Sequence, residues 1–302
     1  MKLIRLLLNR LRKFLKKDFF LETEKQKLIM GKILAESVKS NNNILKLSDA
    51  EFSIFSQFGD DGIIQYLINN IEIDEKIFIE FGVENYLESN TRFLMMNDNW
   101  SGLVLDGCKK NIHEIVNSYY FWKYDLYAEE LFINKDNINS YLGQYYEGDI
   151  GLLHIDLDGN DYYILDAIES VSPVILILEY NSLFGIDRSI SIPYDEGFYR
   201  TNAHYSNLYW GASLKSLCDL ANEKGYSFLG CNSAGNNSYF LRNDKLNSKI
   251  SPITLEEGFV NSKYRESRNK KGELTFLNKS EQRDLIKGLK VFNTNTKKLE
   301  VF

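Results

Sequence analysis

Four acidic residues end short apolar segments of this chain, and their spacing indicates where chemistry could occur. These residues are Glu80, Asp106, Asp156 and Glu179. Apolar runs of this length that end at a carboxylate are typical of buried parallel strands, whose carboxyl ends meet at one edge of an open α/β sheet. Small ligands bind at that edge. We therefore expect the four carboxylates to share one ligand site.

The first two acids have the spacing of a nucleoside site. The acid that ends the second strand of a doubly wound fold commonly holds a ribose, which assigns that role to Asp106. Glu80 would then face a cofactor hydroxyl or a cation, and Gly82 would let the backbone approach the ligand closely. The residues after Gly82 lack the further glycines of a dinucleotide fingerprint. A nucleoside without a pyrophosphate, such as S-adenosylmethionine, therefore fits better than a dinucleotide.

The other two acids are expected to end adjacent strands, about 4.8 Å apart. Carboxylates that close repel each other unless one is protonated or a cation bridges them. A hard divalent ion, Mg²⁺ or Mn²⁺, held by Asp156, Glu179 and Asn181 would remove the repulsion. Alternatively, Asp158 and Asp161 cap the helix that follows, and Asp156 alone contacts the cofactor.

Four motifs occur along the chain in an informative order: Ser56–Gly62, the loop from Glu80 to Thr91, Trp100–Asp106 and Ile155–Gly159. Together they resemble FkbM-type S-adenosylmethionine-dependent methyltransferases, which occur in bacterial surface-glycan gene clusters, and the likeness covers roughly residues 55–244. The usual glycine-rich loop is replaced here by the bulkier and more acidic Val83–Glu88.

This resemblance implies where the cofactor binds. The Ser-Gln-x-Gly segment would lie beside the amino-acid end of the cofactor, and Asp125 would meet the adenine amino group. The alternative is that these residues are helix caps and their partners. The expected cofactor-binding residues are Gln57, Asp61, Glu80, Gly82, Ser89, Asn90, Thr91, Asp106, Gly107, Asp125 and Asp156.

Methyl transfer to a hydroxyl needs the acceptor in line with the methyl group and a base for its proton. His204, in a polar and aromatic segment where an acceptor would enter, is the predicted base, with Asp156 as a second catalytic residue. Arginines there could hold a phosphate or carboxylate of the acceptor. The expected acceptor-binding residues are Asp158, Asp161, Tyr180, Arg200, Arg265 and Arg268.

Strand-like segments alternate with helix-like ones, which predicts a parallel sheet. The resemblance implies the Rossmann-like α/β fold of class I methyltransferases, a mostly parallel seven-stranded sheet with helices on both faces. We expect a helical extension over 1–50, a cofactor-binding domain over 51–244 with an acceptor-side insertion at 181–207, and a C-terminal cap over 245–302. The predicted sheet strands are 77–80, 102–106, 119–124, 151–156, 174–179, 226–231 and 238–242.

Charge is distributed unevenly along the chain. Residues 1–17 contain seven basic side chains and no acid, so that a chain of net charge −6 carries −13 over the rest. At helical spacing the apolar and basic residues of 1–17 fall on opposite faces. Such a helix either lies on an anionic membrane surface or docks on its own domain or a second subunit. The net charge argues against general nucleic-acid binding.

Composition narrows the protein class further. The three cysteines, Cys108, Cys218 and Cys231, have no disulfide or zinc spacing and are typical of free thiols in a reducing cytoplasm. No run is long enough to span a membrane. We expect a cytoplasmic protein, which lies at the inner membrane surface if residues 1–17 bind lipid.

The sequence therefore predicts an O-methyltransferase that acts on a sugar or sugar-nucleotide hydroxyl for a bacterial capsular polysaccharide. Two other classes stay open. Asp156-Leu157-Asp158 matches the Asp-x-Asp of metal-dependent glycosyltransferases, although Glu80 and Asp106 have no obvious role in such an enzyme. The chain could also be a non-catalytic, membrane-associated adapter that kept the fold.

Overall fold

The computed structural model describes the backbone of residues 2–302 and the side chains of residues 18–302. Strands and helices alternate through the first two thirds of the chain. The strands are β1 (Ile77–Phe81), β2 (Ser101–Asp106), β3 (Leu126–Glu130), β4 (Gly148–Ile155), β5 (Val171–Glu179), β6 (Ile190–Ser191), β7 (Tyr226–Cys231), β8 (Asn237–Arg242), β9 (Lys290–Asn293) and β10 (Lys298–Val301). The helices are α1 (Lys2–Ser40), α2 (Asp60–Asn70), α3 (Arg92–Asp98), α4 (Lys109–Val116), α5 (Ile138–Leu142), α6 (Asp161–Ala167), α7 (Arg200–Ala203), α8 (Leu214–Glu223), α9 (Leu255–Gly258) and α10 (Lys279–Ile286).

Seven strands form the main sheet in the order β3-β2-β1-β4-β5-β8-β7. The first five are parallel, and β8 is inserted antiparallel between β5 and β7. This order, with an antiparallel hairpin at one end, is the Rossmann-like fold of class I methyltransferases, and the predicted fold class is confirmed. The switch in strand order lies between β1 and β4, where doubly wound sheets bind ligands.

Both faces of this sheet are covered. Alternate strand residues point to opposite faces, so that Phe78 packs with the cluster that includes α2 and α3, while Ile79 packs with the cluster that includes α6 and α8. Such burial on both sides explains why the strands are nearly continuous apolar runs.

The predicted third strand was wrong. Residues 119–124 form a turn and a short 3-10 helix, and the strand beside β2 is Leu126–Glu130. The aromatic run Tyr119-Tyr120-Phe121-Trp122 has strand propensity, but Tyr120 is buried against the Arg92 guanidinium instead. Tertiary packing outweighed local preference here.

The insertion and the C-terminal tail fold together. Strand β6 of the insertion pairs with β9 of the tail, which pairs with β10 in a second, three-stranded sheet. Leu183, Ile190, Ile286 and Val291 form a small core of their own. The tail that was predicted to cap the sheet edge therefore braces the insertion.

The N-terminal extension is one helix that packs on α2 and α3. Glu24 of α1 forms a buried ion pair with Arg92 at the start of α3. The predicted basic amphipathic face of residues 1–17 lies outside the described side chains. Among the helices that the structure describes, none combines the length and apolar character needed to cross a bilayer.

Candidate active site

A cleft of about 560 Å³ opens at the carboxyl edge of the main sheet. This volume is in the usual range for small-molecule sites. Glu80, Asp106, Asp156 and Glu179, which end or nearly end four neighbouring strands, all line it. The insertion closes one side through residues 198–201. The structure thus brings together the four acids that the sequence placed at one edge.

Glu80 is held by the protein itself. One carboxylate oxygen accepts hydrogen bonds from the Asn90 amide nitrogen (2.9 Å) and from His154 Nδ1 (3.0 Å). The other accepts from the Ser89 hydroxyl (2.6 Å) and from the Thr91 hydroxyl and amide. Glu80 therefore shapes the loop before α3, rather than offering free oxygens to a cofactor.

His154 supplies the opposite charge beside Glu80. Burial alone would raise the pKa of Glu80, but the hydrogen bond and charge of His154, with Ser89 and Thr91, outweigh it and hold that pKa below its usual value. Burial would lower the pKa of His154, but Glu80 outweighs this effect and raises it. The pair is therefore a buried ion pair at the floor of the cleft.

Asp106 is partly committed to its own loop. Its oxygens accept from the amides of Glu84 and Cys108, both at 2.8 Å, and from the Asn111 side chain at 3.0 Å. A carboxylate has about four acceptor positions. One acceptor position of Asp106 therefore stays open for the ribose contact that the sequence predicts.

Gly82 lines the cleft, and the fold itself requires a glycine there. Its φ is +71°, and a Cβ atom there would lie 1.7 Å from the Asp156 carbonyl oxygen. In the loop that follows, Glu84 and Tyr86 also have positive φ values of 47° and 61°. Glycine adopts such angles without strain, whereas residues with a Cβ atom do not. At Tyr86 the cost is offset by the buried ring and by a hydrogen bond between its hydroxyl and that of Thr91, which anchor the loop.

Of two adjacent aspartates at the start of α2, Asp60 and not the predicted Asp61 lines the cleft. Asp61 accepts the amides of residues 54–56 and does not line the cleft, so the predicted cofactor contact was wrong. Asp60 lines the cleft instead, and its Oδ1 accepts from Asn232, Asn237 and the Tyr239 hydroxyl. Its Oδ2 is buried and has no partner among the described residues.

Asp156, Asp158 and Glu179 form an acidic cluster whose oxygens lie within 4.8 Å of one another. Burial, together with the charge of Asp158, raises the pKa of Asp156 to about 6. Burial, together with the charge of Asp156, raises the pKa of Glu179 well above its usual value. Glu179 is 7% exposed, and its Oε2 has no partner in the part of the chain that is described. Crowded carboxylates of this kind favour the binding of a proton or a cation.

Arg200 reaches the cleft but is already engaged. Its Nη1 donates to Asp158 Oδ1 at 2.8 Å, its Nε donates to the Asn207 carbonyl oxygen, and its guanidinium lies over the Trp210 ring. Glu266 Oε2 lies 3.7 Å from its Nη2. The predicted phosphate-binding role does not fit these contacts.

Three residues after β4 and β5 serve the backbone instead of a ligand. Asp161 accepts the amides of Leu157 and Gly159, which precede the helix, so it does not cap α6 as the alternative expected. The Tyr180 hydroxyl donates to the Val260 carbonyl oxygen. The Asn181 side chain donates to the Leu208 and Trp210 carbonyl oxygens and accepts the Leu183 amide. None of the three lines the cleft, so their predicted acceptor and metal contacts were wrong.

Three basic residues of the predicted acceptor site also lie elsewhere. His204 shares a hydrogen bond with the Ser206 hydroxyl at 2.7 Å and does not line the cleft. Arg265 donates to the Phe276 carbonyl oxygen, and Arg268 binds Glu266. The insertion and the tail fold so that these three side chains bind other parts of the protein. The predicted roles of His204 as base and of both arginines as acceptor ligands therefore do not fit the structure.

The remaining cofactor predictions divide in a similar way. Gln57, Ser89, Asn90 and Gly107 line the cleft, whereas Thr91 is fully buried beneath Glu80. Asp125 precedes β3 and so lies at the opposite, amino edge of the sheet, beside Ile77 and Ser101. The misplaced third strand is the reason for that error.

Sequence reasoning missed several residues of the cleft. Phe132 follows the true third strand, packs against Gly107, and stacks with Tyr199 at a ring distance of 6.5 Å. Asp60 was overlooked beside Asp61, although the pair Asp60-Asp61 was visible in the motif. Glu266 reaches the cleft from the tail, and no local pattern could have indicated this.

No protein-family model matches the chain, and no curated protein matches its sequence. Solved structures do resemble it. A methyltransferase from Clostridium acetobutylicum, described as S-adenosylmethionine-dependent, is 10% identical over 60% of this chain and 89% of its own, with a TM-score of 0.38. The CurJ carbon methyltransferase is 11% identical over 64% of this chain and 56% of its own, with a TM-score of 0.40. The N-terminal domain of EvdMO1, solved with SAH bound, is 12% identical over 55% of this chain and 72% of its own, with a TM-score of 0.36. At these values the strand order, rather than the likeness, identifies the fold.

Proposed function

We propose that the protein is an S-adenosylmethionine-dependent O-methyltransferase acting on a sugar hydroxyl. The observation that carries the proposal is the buried Oδ2 of Asp60, a residue that lines the cleft, because this oxygen has no partner among the described residues. A buried carboxylate oxygen without a donor is costly unless a ligand supplies one. The α-ammonium group of S-adenosylmethionine is such a donor.

The other residues of this half of the cleft fit the same cofactor. Asp106 has one acceptor position left for a ribose hydroxyl, and Asn90 and Gln57 offer amides at the amino-acid end. Phe132, packed on Gly107, offers an aromatic face to the adenine. Glu80 and His154 hold the loop that carries Asn90.

The bound cofactor would supply an electrophilic methyl group. The protein then needs to position the acceptor and remove its proton. Asp156 suits the second task because its pKa of about 6 leaves it ionised at neutral pH but still basic enough to accept a proton. Burial and the charge of Asp156 raise the pKa of Glu179 beside it, which limits the negative charge of the cluster. We therefore assign the base to this pair and not to His204.

The acceptor side of the cleft supports a sugar. Phe198 and Tyr199 offer aromatic faces, which pack on the apolar faces of sugar rings, and the neighbouring carboxylates accept hydroxyl protons. That the sugar belongs to a bacterial surface polysaccharide is part of the proposal and depends on the sequence resemblance alone.

A divalent ion is a separate question. The predicted ligand set of Asp156, Glu179 and Asn181 does not fit, because the Asn181 amide is used by the backbone. Asp158 could replace it, but its Oδ1 is bound by Arg200. We assign no step to a metal, and turnover in the presence of a chelator tests that choice.

Calorimetric titration with S-adenosylhomocysteine tests the cofactor site. We expect binding, with the affinity lowered in Asp60→Asn and retained in Glu88→Gln, which removes a charge from an exposed acid of the same cleft. Absence of binding to the wild-type protein would contradict the proposal. Release of S-adenosylhomocysteine with sugar acceptors then tests turnover.

The partner proposals concern residues 1–17 and oligomerisation. We propose that the basic segment contacts an anionic membrane surface, because its sequence separates charge from apolar residues. Deleting residues 1–17 should reduce sedimentation with anionic vesicles and leave S-adenosylhomocysteine binding unchanged. If the shortened protein instead changes its oligomeric mass, the segment pairs subunits.

A further inference from the structure

The charge of the cleft restricts which acceptor it can take. Among the described side chains that line it, nine are acidic, against one arginine and one histidine. The histidine, His154, is paired with Glu80, and the arginine, Arg200, is paired with Asp158. A phosphate or carboxylate on the acceptor would meet several like charges and no free cation within this described lining, and such repulsion disfavours binding.

The carboxylate at the end of β5 lacks a hydrogen-bond donor for one of its oxygens. Glu179 Oε2 is buried, lines the cleft and lacks a partner among the residues described. Asp158, in contrast, is well exposed and already accepts from Arg200. The carboxylates that most lack hydrogen-bond donors are therefore those of Glu179 and its neighbour Asp156.

The size of the acidic cluster matches one particular donor. A point equidistant from three oxygens that are up to 4.8 Å apart lies at most about 2.8 Å from each in a symmetric arrangement. Charge-assisted N–H···O bonds are about 2.7–2.9 Å long, and an ammonium group has three donors. A neutral hydroxyl would satisfy only one of these oxygens.

We propose that the acceptor is an amino sugar whose protonated amine binds Asp156, Asp158 and Glu179, and that it is not a sugar nucleotide or an acidic sugar. This inference rests on the proposed methyl transfer, since it names the acceptor of that reaction. The amine anchors the sugar ring and thereby brings a neighbouring hydroxyl to the carboxylate pair. A divalent ion is the other source of positive charge for these oxygens, and the experiment separates the two.

The test measures sugar binding to the full-length protein by ligand-observed NMR, with and without S-adenosylhomocysteine. The probes are glucosamine, N-acetylglucosamine, glucuronate and UDP-N-acetylglucosamine, with the amine and N-acetyl pair repeated in the galacto and manno series. Comparison within one series removes the effect of ring configuration. All titrations are run in EDTA and again with added Mg²⁺.

In at least one series, we expect the amine to bind about tenfold or more tightly than its N-acetyl form in EDTA, since acetylation removes the charge. Glucuronate and the nucleotide sugar should bind weakest. Glu179→Gln should reduce the amine preference, whereas Glu88→Gln, which removes the same charge elsewhere in the cleft, should retain it. Retained S-adenosylhomocysteine binding shows that each variant is folded.

Three results would overturn the proposal: equal affinity for amine and N-acetyl forms in every series, tighter binding of an anionic sugar, or sugar binding that EDTA abolishes and Mg²⁺ restores. The last result would assign the cation at the cluster to a metal. If the amine preference is present but S-adenosylhomocysteine does not bind, the proposed methyl transfer fails and the cation site stands.

Discussion

The two halves of the cleft treat their carboxylates in opposite ways. At the ends of β1 and β2, Glu80 and Asp106 accept hydrogen bonds from backbone amides and neighbouring side chains of their own loops. At the ends of β4 and β5, Asp156 and Glu179 are crowded together, and one oxygen has no partner in the described chain. The first half is organised by the protein, whereas the second is left for a ligand to complete.

This difference is visible in the pKa directions. Burial acts on both Glu80 and Glu179, but His154 and the loop donors outweigh it for Glu80, so its pKa falls. Glu179 faces further acids, so its pKa rises. A carboxylate whose oxygens all accept hydrogen bonds gives a rigid, preorganised site. A carboxylate that lies among other acids without donors is suited to receiving a proton or a cation.

The largest expected effect is on turnover in the acceptor half. Asp156→Asn removes the proposed base and should lower kcat by about 10²–10⁴-fold, the usual contribution of general base catalysis. S-adenosylhomocysteine affinity should change little. Wild-type kcat should rise with pH through about 6, the pKa of Asp156. Turnover in Asp156→Asn within tenfold of wild type would show that Asp156 is not the base. Glu266→Gln, which removes an acid elsewhere in the lining of the cleft, is the matched control.

The cofactor half is expected to depend on α1 for its rigidity. Arg92 pairs with Glu24, donates to the Leu87 carbonyl oxygen and follows directly after the residues that grip Glu80. Glu24→Gln leaves a buried guanidinium without its counter-charge and should reduce the free energy of unfolding by about 3–5 kcal/mol. Urea unfolding measures this loss.

The half-exposed Lys27, which lies 3.9 Å from Glu24, provides a control for the buried pair. Lys27→Ala should cost less than about 1 kcal/mol, as surface pairs do. Equal losses in Glu24→Gln and Lys27→Ala would mean that the buried pair does not support the loop.

Asp60 tests whether the cofactor half also contains one unsatisfied position of its own. Asp60→Asn preserves shape but removes the charge opposite the cofactor ammonium, and should weaken S-adenosylhomocysteine binding about 10–100-fold, as expected for a hydrogen bond to a charged group. Calorimetry gives the affinity. An unchanged dissociation constant would show that the cofactor ammonium does not bind Asp60. The cofactor half would then contain no carboxylate that a ligand completes, in contrast to the acceptor half.

The smallest effect is the dependence of stability on pH. Burial raises the pKa of Asp61 to about 6 and that of Asp161 to about 7, and it raises the pKa of Glu179 as well. The folded protein therefore binds more protons than the unfolded chain above pH 4, and stability should fall as pH rises to about 7. His154, whose pKa is raised, acts in the same direction.

Glu80 acts in the opposite direction, but only below its unfolded pKa, which is outside this range. Urea unfolding at pH 5.5 and 7.5 should differ by about 1 kcal/mol or more, because one pKa unit corresponds to ~1.4 kcal/mol. Glu179→Gln should reduce the difference. Greater stability at pH 7.5 would show that these acids are better solvated than their burial implies.

The regular part of the fold could be predicted from local patterns. The apolar runs at β1, β2, β4, β5 and β7 were found with ends within a few residues, since strands buried on both faces leave a continuous apolar signal. The third strand was missed because its residues, Leu126 to Glu130, alternate weakly, while the preceding aromatic run has higher strand propensity. That error alone moved Asp125 to the wrong edge.

The amino-acid sequence by itself determined that four acids end four parallel strands, and therefore that they meet at one edge. Only the tertiary structure decided which carboxyl oxygens stay free. That outcome depends on donors that arrive from distant segments, such as Asn232 and Tyr239 at Asp60, or Arg200 at Asp158. A residue's neighbours along the chain establish its position in a strand or turn, but the hydrogen bonds that satisfy it, or leave it for a ligand, come from packing.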